Sequence, residues 1–220
     1  MRALPGFFAA LLSIALAVPG GNRSRPSADE VIALARAALG GEAALDAVRS
    51  LSASGTARPR KSGGLDLERP RRSGLLRVDA HDGERAGTGT ETRCLAAVLL
   101  PGRASEVRFS YVGEVEAPRG RSDVVDLTAP HGLACRLFVD QASHLPLMLT
   151  DAGLRPPVLS GEPAQTLTLF LSDYREVDGI RLPHALSRAV NGALVEEWRI
   201  DRWRVNPPLE ATSFPRSSEP

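Results

Sequence analysis

The chain has none of the short motifs that mark common catalytic and nucleotide-binding sites. It has no Gly-x-Ser-x-Gly nucleophile elbow, no Walker phosphate loop and no His-Glu-x-x-His zinc motif. Gly87-Thr88-Gly89 does not join a strand pattern to a helix pattern, so it predicts a loop and not a dinucleotide site. The histidines lack the spacing of metal ligands; they are His81, His131, His144 and His184. The sequence therefore predicts no enzyme activity, no cofactor and no metal site.

The chain also has few aromatic residues and almost no net charge. Aromatic residues make up 5% of the chain, which argues against a deep aromatic-lined pocket. The formal net charge is +1 and would fall to zero if Arg2 were removed with a leader. A neutral protein has no electrostatic attraction for nucleic acid or for anionic lipid surfaces. We therefore expect no nucleic-acid partner. The protein is also expected to be a monomer.

Long apolar runs are missing except near the N-terminus. Arg2 precedes an apolar run from Phe7 to Val18 that contains the small-x-small pattern Ala15-Leu16-Ala17. This run is too short to span a membrane and is typical of a secretory signal peptide cleaved near Ala17, with a misplaced start or a buried helix as the alternative. No cysteine lies near the cleavage point, so a lipid anchor is not expected. The predicted division is a signal peptide at 1–17, a linker at 18–26, one domain at 27–214 and a disordered tail at 215–220.

Only two cysteines are present, Cys94 and Cys135. After export they would meet an oxidising compartment, where a disulfide between them would stabilise the fold by roughly 4 kcal/mol in the chain-entropy model. Two buried free thiols would fit the sequence equally well. Both interpretations stay open at this point.

The chain begins with helical patterns and continues with strand patterns. Ser27 to Glu30 forms a capping box before an apolar helical stripe that ends at Gly40-Gly41, and Glu42 to Arg49 predicts a second short helix. Short strand patterns follow, without helices between them; they are 50–57, 74–80, 94–100, 106–116, 124–128, 133–140, 145–151 and three more from Gln165 onward. The predicted fold class is α+β: a strongly curved antiparallel sheet, an open half β-barrel of about 9–11 strands, with the N-terminal helices covering its concave face.

The last three strands predict their own register. Asp178-Gly179 favours a two-residue turn that places Leu171 opposite Leu186 and Asp173 opposite His184. At Asn191-Gly192 we expect a three-residue loop with an αL glycine, because a two-residue loop would set apolar residues opposite charged ones. That loop would pair Leu182 with Ile200 and His184 with Trp198. Beyond Ile200 the apolar residues move to the odd positions Trp203 and Val205, which predicts a second bulge or a twist at Asp201-Arg202.

These strands place a set of mostly apolar residues on one face, where they would line a ligand-binding trough or form an ordinary core. The candidate trough residues are Leu167, Leu169, Leu171, Leu186, Arg188, Trp198 and Ile200.

Two polar groupings have plainer explanations than chemistry. Asp173 beside His184 would resemble an oriented base, but no nucleophile is identifiable nearby, and a polar cross-strand pair is favoured. A basic group between 58 and 72 would suit an acidic partner, but Asp66 and Glu68 dilute it, and a solvated loop is favoured; its members are Arg58, Arg60, Lys61, Arg69, Arg71 and Arg72.

The order of motifs resembles the periplasmic lipoprotein-carrier (LolA/LolB-like) superfamily, in particular its outer-membrane lipoprotein-sorting relatives. The motifs are GGEAALDAVRSLSASG, the strand hairpin LFVDQASHLPLMLT, the long segment DYREVDGIRLPHALSRAVNGALVEEWRI, and NPPLEATSF. The similarity spans roughly Ala28 to Phe214. It implies a periplasmic half-barrel, lidded by helices, that binds acyl chains, with a lipid or acylated protein and an envelope protein as partners. Arg188 is the candidate for the arginine that such carriers use inside the barrel.

Overall fold

A computed structural model describes residues 25–59, 76–79, 107–117, 120–129, 133–151 and 166–207. The predicted signal peptide, the predicted strand at 94–100 and the predicted tail at 215–220 lie outside these ranges, as does the basic group except Arg58. The predictions for those segments are therefore not tested by the structure.

The first helix forms as its capping signal predicts. Helix α1 spans Ala28–Ala38. The Ser27 hydroxyl accepts a hydrogen bond from the Glu30 N–H at 3.1 Å, and the Glu30 carboxylate accepts one from the Ser27 N–H at 2.7 Å. The bond from the Ser27 N–H is the main cause of the lowered pKa of Glu30, since it favours the charged carboxylate. The apolar residues of the helix, among them Val31, Ile32 and Ala35, are buried.

Helix α2 is short and is joined to α1 by an ion pair. It spans Glu42–Asp46, ending before the predicted Arg49. The buried Arg36 guanidinium forks onto the Glu42 carboxylate, with Nε at 2.6 Å from Oε1, and its second arm lies 3.5 Å from Asp46. The hydrogen bond from Arg36 lowers the pKa of Glu42. The corner between the helices is therefore fixed by charge as well as by packing.

Within the described residues, nine strands form one antiparallel sheet in the order β2-β1-β9-β8-β7-β6-β5-β4-β3. The two end strands, β2 and β3, do not pair with each other in the described residues, so the sheet is open. The strands are β1 Ser50–Pro59, β2 Leu76–Asp79, β3 Arg108–Ala117, β4 Gly120–Ala129, β5 Leu133–Asp140, β6 Pro146–Thr150, β7 Leu167–Val177, β8 Ile180–Val190 and β9 Ala193–Val205.

One face of the sheet is apolar, and the other is mixed, since it carries the apolar row Val124, Phe138, Met148 and Phe170 beside charged pairs. Apolar residues at alternate positions of the strands join both helices in one hydrophobic core, for example Leu137, Leu149 and Leu171 with Leu39 and Leu45. We call this side the core face. On the other face the Arg136 guanidinium holds the Asp126 carboxylate at 2.7 and 3.0 Å, and this hydrogen bond raises the pKa of Arg136. The alternation is what a half-buried antiparallel sheet requires.

The contacts of α1 agree with a sheet that bends toward the helices. Helix α1 contacts β3 and β4, and its C-cap residue Leu39 accepts a hydrogen bond from the Arg181 N–H of β8 at 2.7 Å. Eleven helical residues reach about 16 Å, whereas five steps between strands, from β8 to β3, cover about 24 Å of sheet. Register shifts in four of the strand pairs supply local bends.

The first predicted hairpin is confirmed. Asp178 and Gly179 form the two-residue turn with φ of 50° and 83°, and Val177 pairs with Ile180. Leu171 lies opposite Leu186, as predicted.

The second predicted hairpin is wrong in its turn and its register. Asn191-Gly192 is a two-residue turn, with φ of 50° and 78°, that pairs Val190 with Ala193. A register shift beyond Ala189, with Val195 as the extra residue, then brings Leu186 opposite Trp198. The predicted pairings of Leu182 with Ile200 and of His184 with Trp198 are therefore displaced by two residues along β9. The bulge keeps Trp198 on the core face, which is the outcome that the longer loop was invoked to produce.

The bulge predicted at Asp201-Arg202 is confirmed. Ser54 of β1 pairs with Arg202 and Gly55 pairs with Ile200, so Asp201 is the extra residue. Gly55 is needed here because a Cβ at this position would meet the Arg199 carbonyl oxygen at 2.0 Å. Trp203 returns to the core face beyond the bulge.

Candidate functional site

Two rows of paired residues run across the core face. The first row crosses from β1 to β7 through Ala57, Trp198, Leu186 and Leu171. The second row crosses from β8 to β3 through Arg188, Leu169, Leu149, Leu137, Val125 and Tyr111. The continuity of these rows makes the core face one extended apolar surface with Arg188 at its margin.

Exposure changes steadily along β8. At the end near α1, Ile180 and Leu182 are fully covered, and Leu186 is 5% exposed. Toward the Asn191-Gly192 turn, Arg188 is exposed and Val190 is half-buried. The neighbouring Leu167 and Trp198 are also half-buried. The core face is therefore fully buried at the end near the α1 C-terminus, which we call the closed end, and partly exposed at the other, which we call the open end: Leu167, Arg188, Val190 and Trp198.

The predicted trough residues all lie on this face, but they differ in access. Leu169, Leu171, Leu186 and Ile200 are buried in the core that also contains the helices. Leu167, Arg188 and Trp198 belong to the open end. Arg188 lies opposite Leu169 on one side and Glu196 on the other. Whether these residues bind a ligand stays a prediction.

The closed end is fixed by the C-terminus of α1. Besides the bond from Arg181 to Leu39, Gly40 lies directly against the β7–β8 turn. A Cβ on Gly40 would meet the Gly179 carbonyl oxygen at 2.5 Å, and its φ of 134° is also restricted to glycine. A shallow depression of about 300 Å³ lies at this junction, beside Glu176 and Arg181. The sequence marked Gly40 as a helix stop but gave no sign of its contact with Gly179.

Strands β8 and β9 separate near the middle of the core face. The pairing of β8 with β9 ends at Ala185 and Arg199, whereas the pairing of β9 with β1 runs from Glu196 through to Val205. Beyond this point side chains bind the backbone carbonyls: the Trp203 indole N–H donates to the Pro183 oxygen at 2.9 Å, and His184 Nδ1 lies 2.9 Å from the Ile200 oxygen. We call this region the fork. His184 is 7% exposed, and its Nε2 is buried without a hydrogen-bond partner.

Asp173 and His184 do not form the dyad considered above. The β7–β8 register still sets them opposite each other, but Asp173 has a φ of 55° and its carboxylate binds the Arg175 guanidinium at 2.6 and 3.0 Å. This hydrogen bond is the main cause of the lowered pKa of Asp173. His184 instead binds Ile200, so no carboxylate orients the imidazole.

A second polar cluster lies at the β3–β4 end of the core face. The buried Asp123 carboxylate accepts hydrogen bonds from the Tyr111 hydroxyl and the Gln141 amide, both at 3.0 Å. Burial and the bond to Asp123 raise the pKa of Tyr111. Sequence reasoning missed this cluster because its members come from β3, β4 and the turn after β5.

Several negative findings concern the described residues alone. In these ranges no three His, Cys, Asp or Glu side chains come together as a metal site. Neither described helix combines the length and apolar content needed to cross a bilayer. Cys135 is buried and disulfide-bonded, whereas Cys94 lies outside the described residues, so the pairing of the two stays a prediction.

No family model matches the sequence, and no curated protein matches it. Solved structures are similar to it. A LolA superfamily protein from Nitrosomonas europaea is 11% identical, with a TM-score of 0.48 over 84% of this chain and 96% of that one. A DUF1329 family protein from Desulfovibrio piger ATCC 29098 is 13% identical, with a TM-score of 0.49 over 86% of this chain and 98% of that one.

A third similar structure covers less of both molecules. It is a domain from Vibrio parahaemolyticus provisionally assigned as an outer-membrane lipoprotein-sorting protein, 14% identical with a TM-score of 0.34. The match spans 48% of this chain and 45% of that one. The structural neighbours thus include the superfamily that the sequence motifs resemble. Since all identities are 14% or lower, function is argued below from the residues of this chain.

Proposed function

We propose that this chain is an exported, non-enzymatic binding or carrier protein for a lipid or acylated ligand, which it holds between the core face and the N-terminal helices. It would act in the periplasm after loss of residues 1–17. The observation that carries the proposal is the graded core face, which is apolar across the sheet, closed at Ile180 and partly open at Leu167 and Trp198.

The physical reason is the free energy of burying hydrocarbon. Each methylene moved from water to an apolar surface contributes about 0.8 kcal/mol, so a chain of ten methylenes supplies about 8 kcal/mol before the cost of opening the site. An acyl chain entering at Leu167 would run along the strands toward Leu171, with its polar group left at the exposed Arg188. The buried state of Leu171 means that the helices must yield for the chain to enter.

Binding of a fluorescent fatty acid to delipidated protein tests this proposal with a matched pair of variants. Leu167→Glu places a carboxylate on the core face at the open end, and we expect affinity to fall at least about tenfold, equivalent to about 1.4 kcal/mol. Phe170→Glu is the control, because Phe170 is 43% exposed on the opposite face of the same strand. Equal affinity of both variants and the wild type would place binding elsewhere, and no saturable binding to the wild type would refute the proposal.

The second candidate is an envelope sensing or interaction domain with the same fold and no lipid cargo. It is favoured by the burial of Leu169, Leu171, Leu186 and Ile200 against the helices, because a trough filled by its own side chains would look like this. Mass spectrometry of lipid co-purifying with the exported protein separates the two. A stoichiometric acyl species supports the carrier, and its absence together with a failure to bind the fluorescent fatty acid supports the interaction domain.

A further inference from the structure

His184, the buried histidine at the fork, has one ring nitrogen that is hydrogen-bonded and one that is not. His184 Nδ1 lies 2.9 Å from the Ile200 carbonyl oxygen, and a carbonyl oxygen can only accept. Nδ1 must therefore carry the proton, which leaves Nε2 of the neutral ring as an acceptor with a lone pair. Nε2 is buried, and no described residue forms a hydrogen bond with it.

Among the described residues, no side chain donates a hydrogen bond to His184 Nε2. Leu182 and Leu186, the residues on either side of His184 on the core face, are both buried apolar side chains. The Trp203 indole N–H, which lies at the same fork, is already bound to the Pro183 oxygen. The arginine nearest in the β7 sequence, Arg175, is bound to Asp173 on the exposed side. A buried acceptor without a hydrogen-bond partner destabilises the protein unless a water or a ligand donates to it.

We propose that His184 Nε2 accepts a hydrogen bond from a hydroxyl group on the acyl chain of the ligand, so that the site prefers hydroxylated chains. This inference rests on the proposed acyl-binding function and specifies which class of chain is bound. The ligand group must be a donor, because the tautomer fixed by Ile200 leaves Nε2 nothing to donate.

The position of the hydroxyl on the chain follows from the strand. His184 lies four residues from the exposed Arg188 along β8, which is about 13 Å at 3.3 Å per residue. A chain whose polar head stays at Arg188 would therefore bring a hydroxyl near its middle to His184. A hydroxyl next to the carboxylate would stay at the open end and gain nothing from Nε2.

Competition against a fluorescent fatty acid with three probes tests the inference: octadecanoic acid, 12-hydroxyoctadecanoic acid and 2-hydroxyoctadecanoic acid. With the wild type we expect the 12-hydroxy probe to bind at least about fivefold more tightly than octadecanoic acid, a difference of about 1 kcal/mol. We expect the 2-hydroxy probe to bind like octadecanoic acid.

Two variants separate the roles of the two nitrogens. His184→Asn keeps a donor near the position of Nδ1 for the Ile200 oxygen but has no atom at Nε2, so the preference for the 12-hydroxy probe should disappear while octadecanoic acid still binds. His184→Gln can place an acceptor near Nε2 and should recover part of the preference. Circular dichroism checks that both variants fold.

Each outcome counts for or against the inference. If octadecanoic acid binds to the wild type with the same affinity as the 12-hydroxy probe, the inference is wrong and the proposed function stands. A preference that survives His184→Asn also overturns it. If no probe binds to the wild type, the proposed function fails, and this inference fails with it.

Discussion

At the scale of single residues, asparagine and glycine fix the joints of the sheet. Asn206 has a φ of 49° just after β9, a conformation that asparagine tolerates. Its Oδ1 accepts from the Arg49 and Ser50 N–H groups at 2.6 and 3.2 Å, and its amide donates to the Ala47 oxygen at 2.9 Å. One side chain thus joins the end of α2, the start of β1 and the end of β9.

Replacing Asn206 with glycine should cost about 2 kcal/mol of unfolding free energy, because three hydrogen bonds of about 0.5–1.5 kcal/mol each are lost while the positive φ remains accessible. Asn191→Gly is the control: Asn191 also has a positive φ of 50°, and its side chain accepts a hydrogen bond from the Thr166 N–H at 2.9 Å. Urea denaturation of both variants measures the difference. An equal loss in the two would show that the Asn206 bonds add no stability of their own.

At the scale of elements, the corner between α1 and α2 packs against the β7–β8 turn at the closed end of the core face. Arg36 is buried, and its charge is balanced by the Glu42 carboxylate on the next helix. Gly40, four residues further on, lies against Gly179 of the β7–β8 turn. The corner is held by a charge pair on one side and by close backbone packing on the other.

The charge pair makes stability depend on pH in the acid range. The Arg36 hydrogen bond holds the pKa of Glu42 below its ordinary value of 4.5, so below that pH the unfolded state binds more protons than the folded state. The stability from this pair is complete above pH 4.5 and is lost as the pH falls through the lowered pKa of Glu42. The difference in unfolding free energy between the wild type and Glu42→Gln should therefore shrink as the pH falls from 7 to 3. A constant difference over that range would contradict this.

The backbone contact is tested by two neighbouring glycines. Gly40→Ala should lower the unfolding free energy by about 2–4 kcal/mol, since its Cβ would overlap the Gly179 oxygen and its φ is restricted to glycine. Gly41→Ala has no atom within 4 Å of the added Cβ, so only its φ of 85° opposes it, at about 1–2 kcal/mol. Equal losses on urea denaturation would show that α1 does not depend on the contact with the turn.

An element of this fold was predictable from sequence when the residues that decide its structure lie close together in the chain. The capping box at Ser27 and the Asp178-Gly179 turn were predictable because each is decided within a few residues. The β8–β9 register was not, because the bulge at Val195 has no local marker and is favoured by the need to keep Trp198 on the core face. The fork around His184 depends on β9 staying paired with β1 where its pairing with β8 has ended, and β1 lies too far away in sequence for any local pattern to encode this.

At the scale of the whole molecule, the sheet is open and its core face is apolar from β1 to β4. Alternation within strands predicted which residues share that face, because one face of an antiparallel sheet must be buried. Alternation could not predict how far the helices cover that face, since core and ligand-binding positions have the same composition. The predicted trough residues are therefore divided by the structure into a buried set and an open-end set.

The most direct test of acyl binding on the core face uses the two tryptophans of the chain, Trp198 and Trp203, which both lie on that face. Bromine quenches indole fluorescence only at short range. Titration with a brominated fatty acid, below the concentration at which it aggregates, should quench the fluorescence to a saturating level that an unbrominated fatty acid reverses. Fluorescence that is unchanged, or that falls without saturation or competition, would contradict an acyl chain beside Trp198.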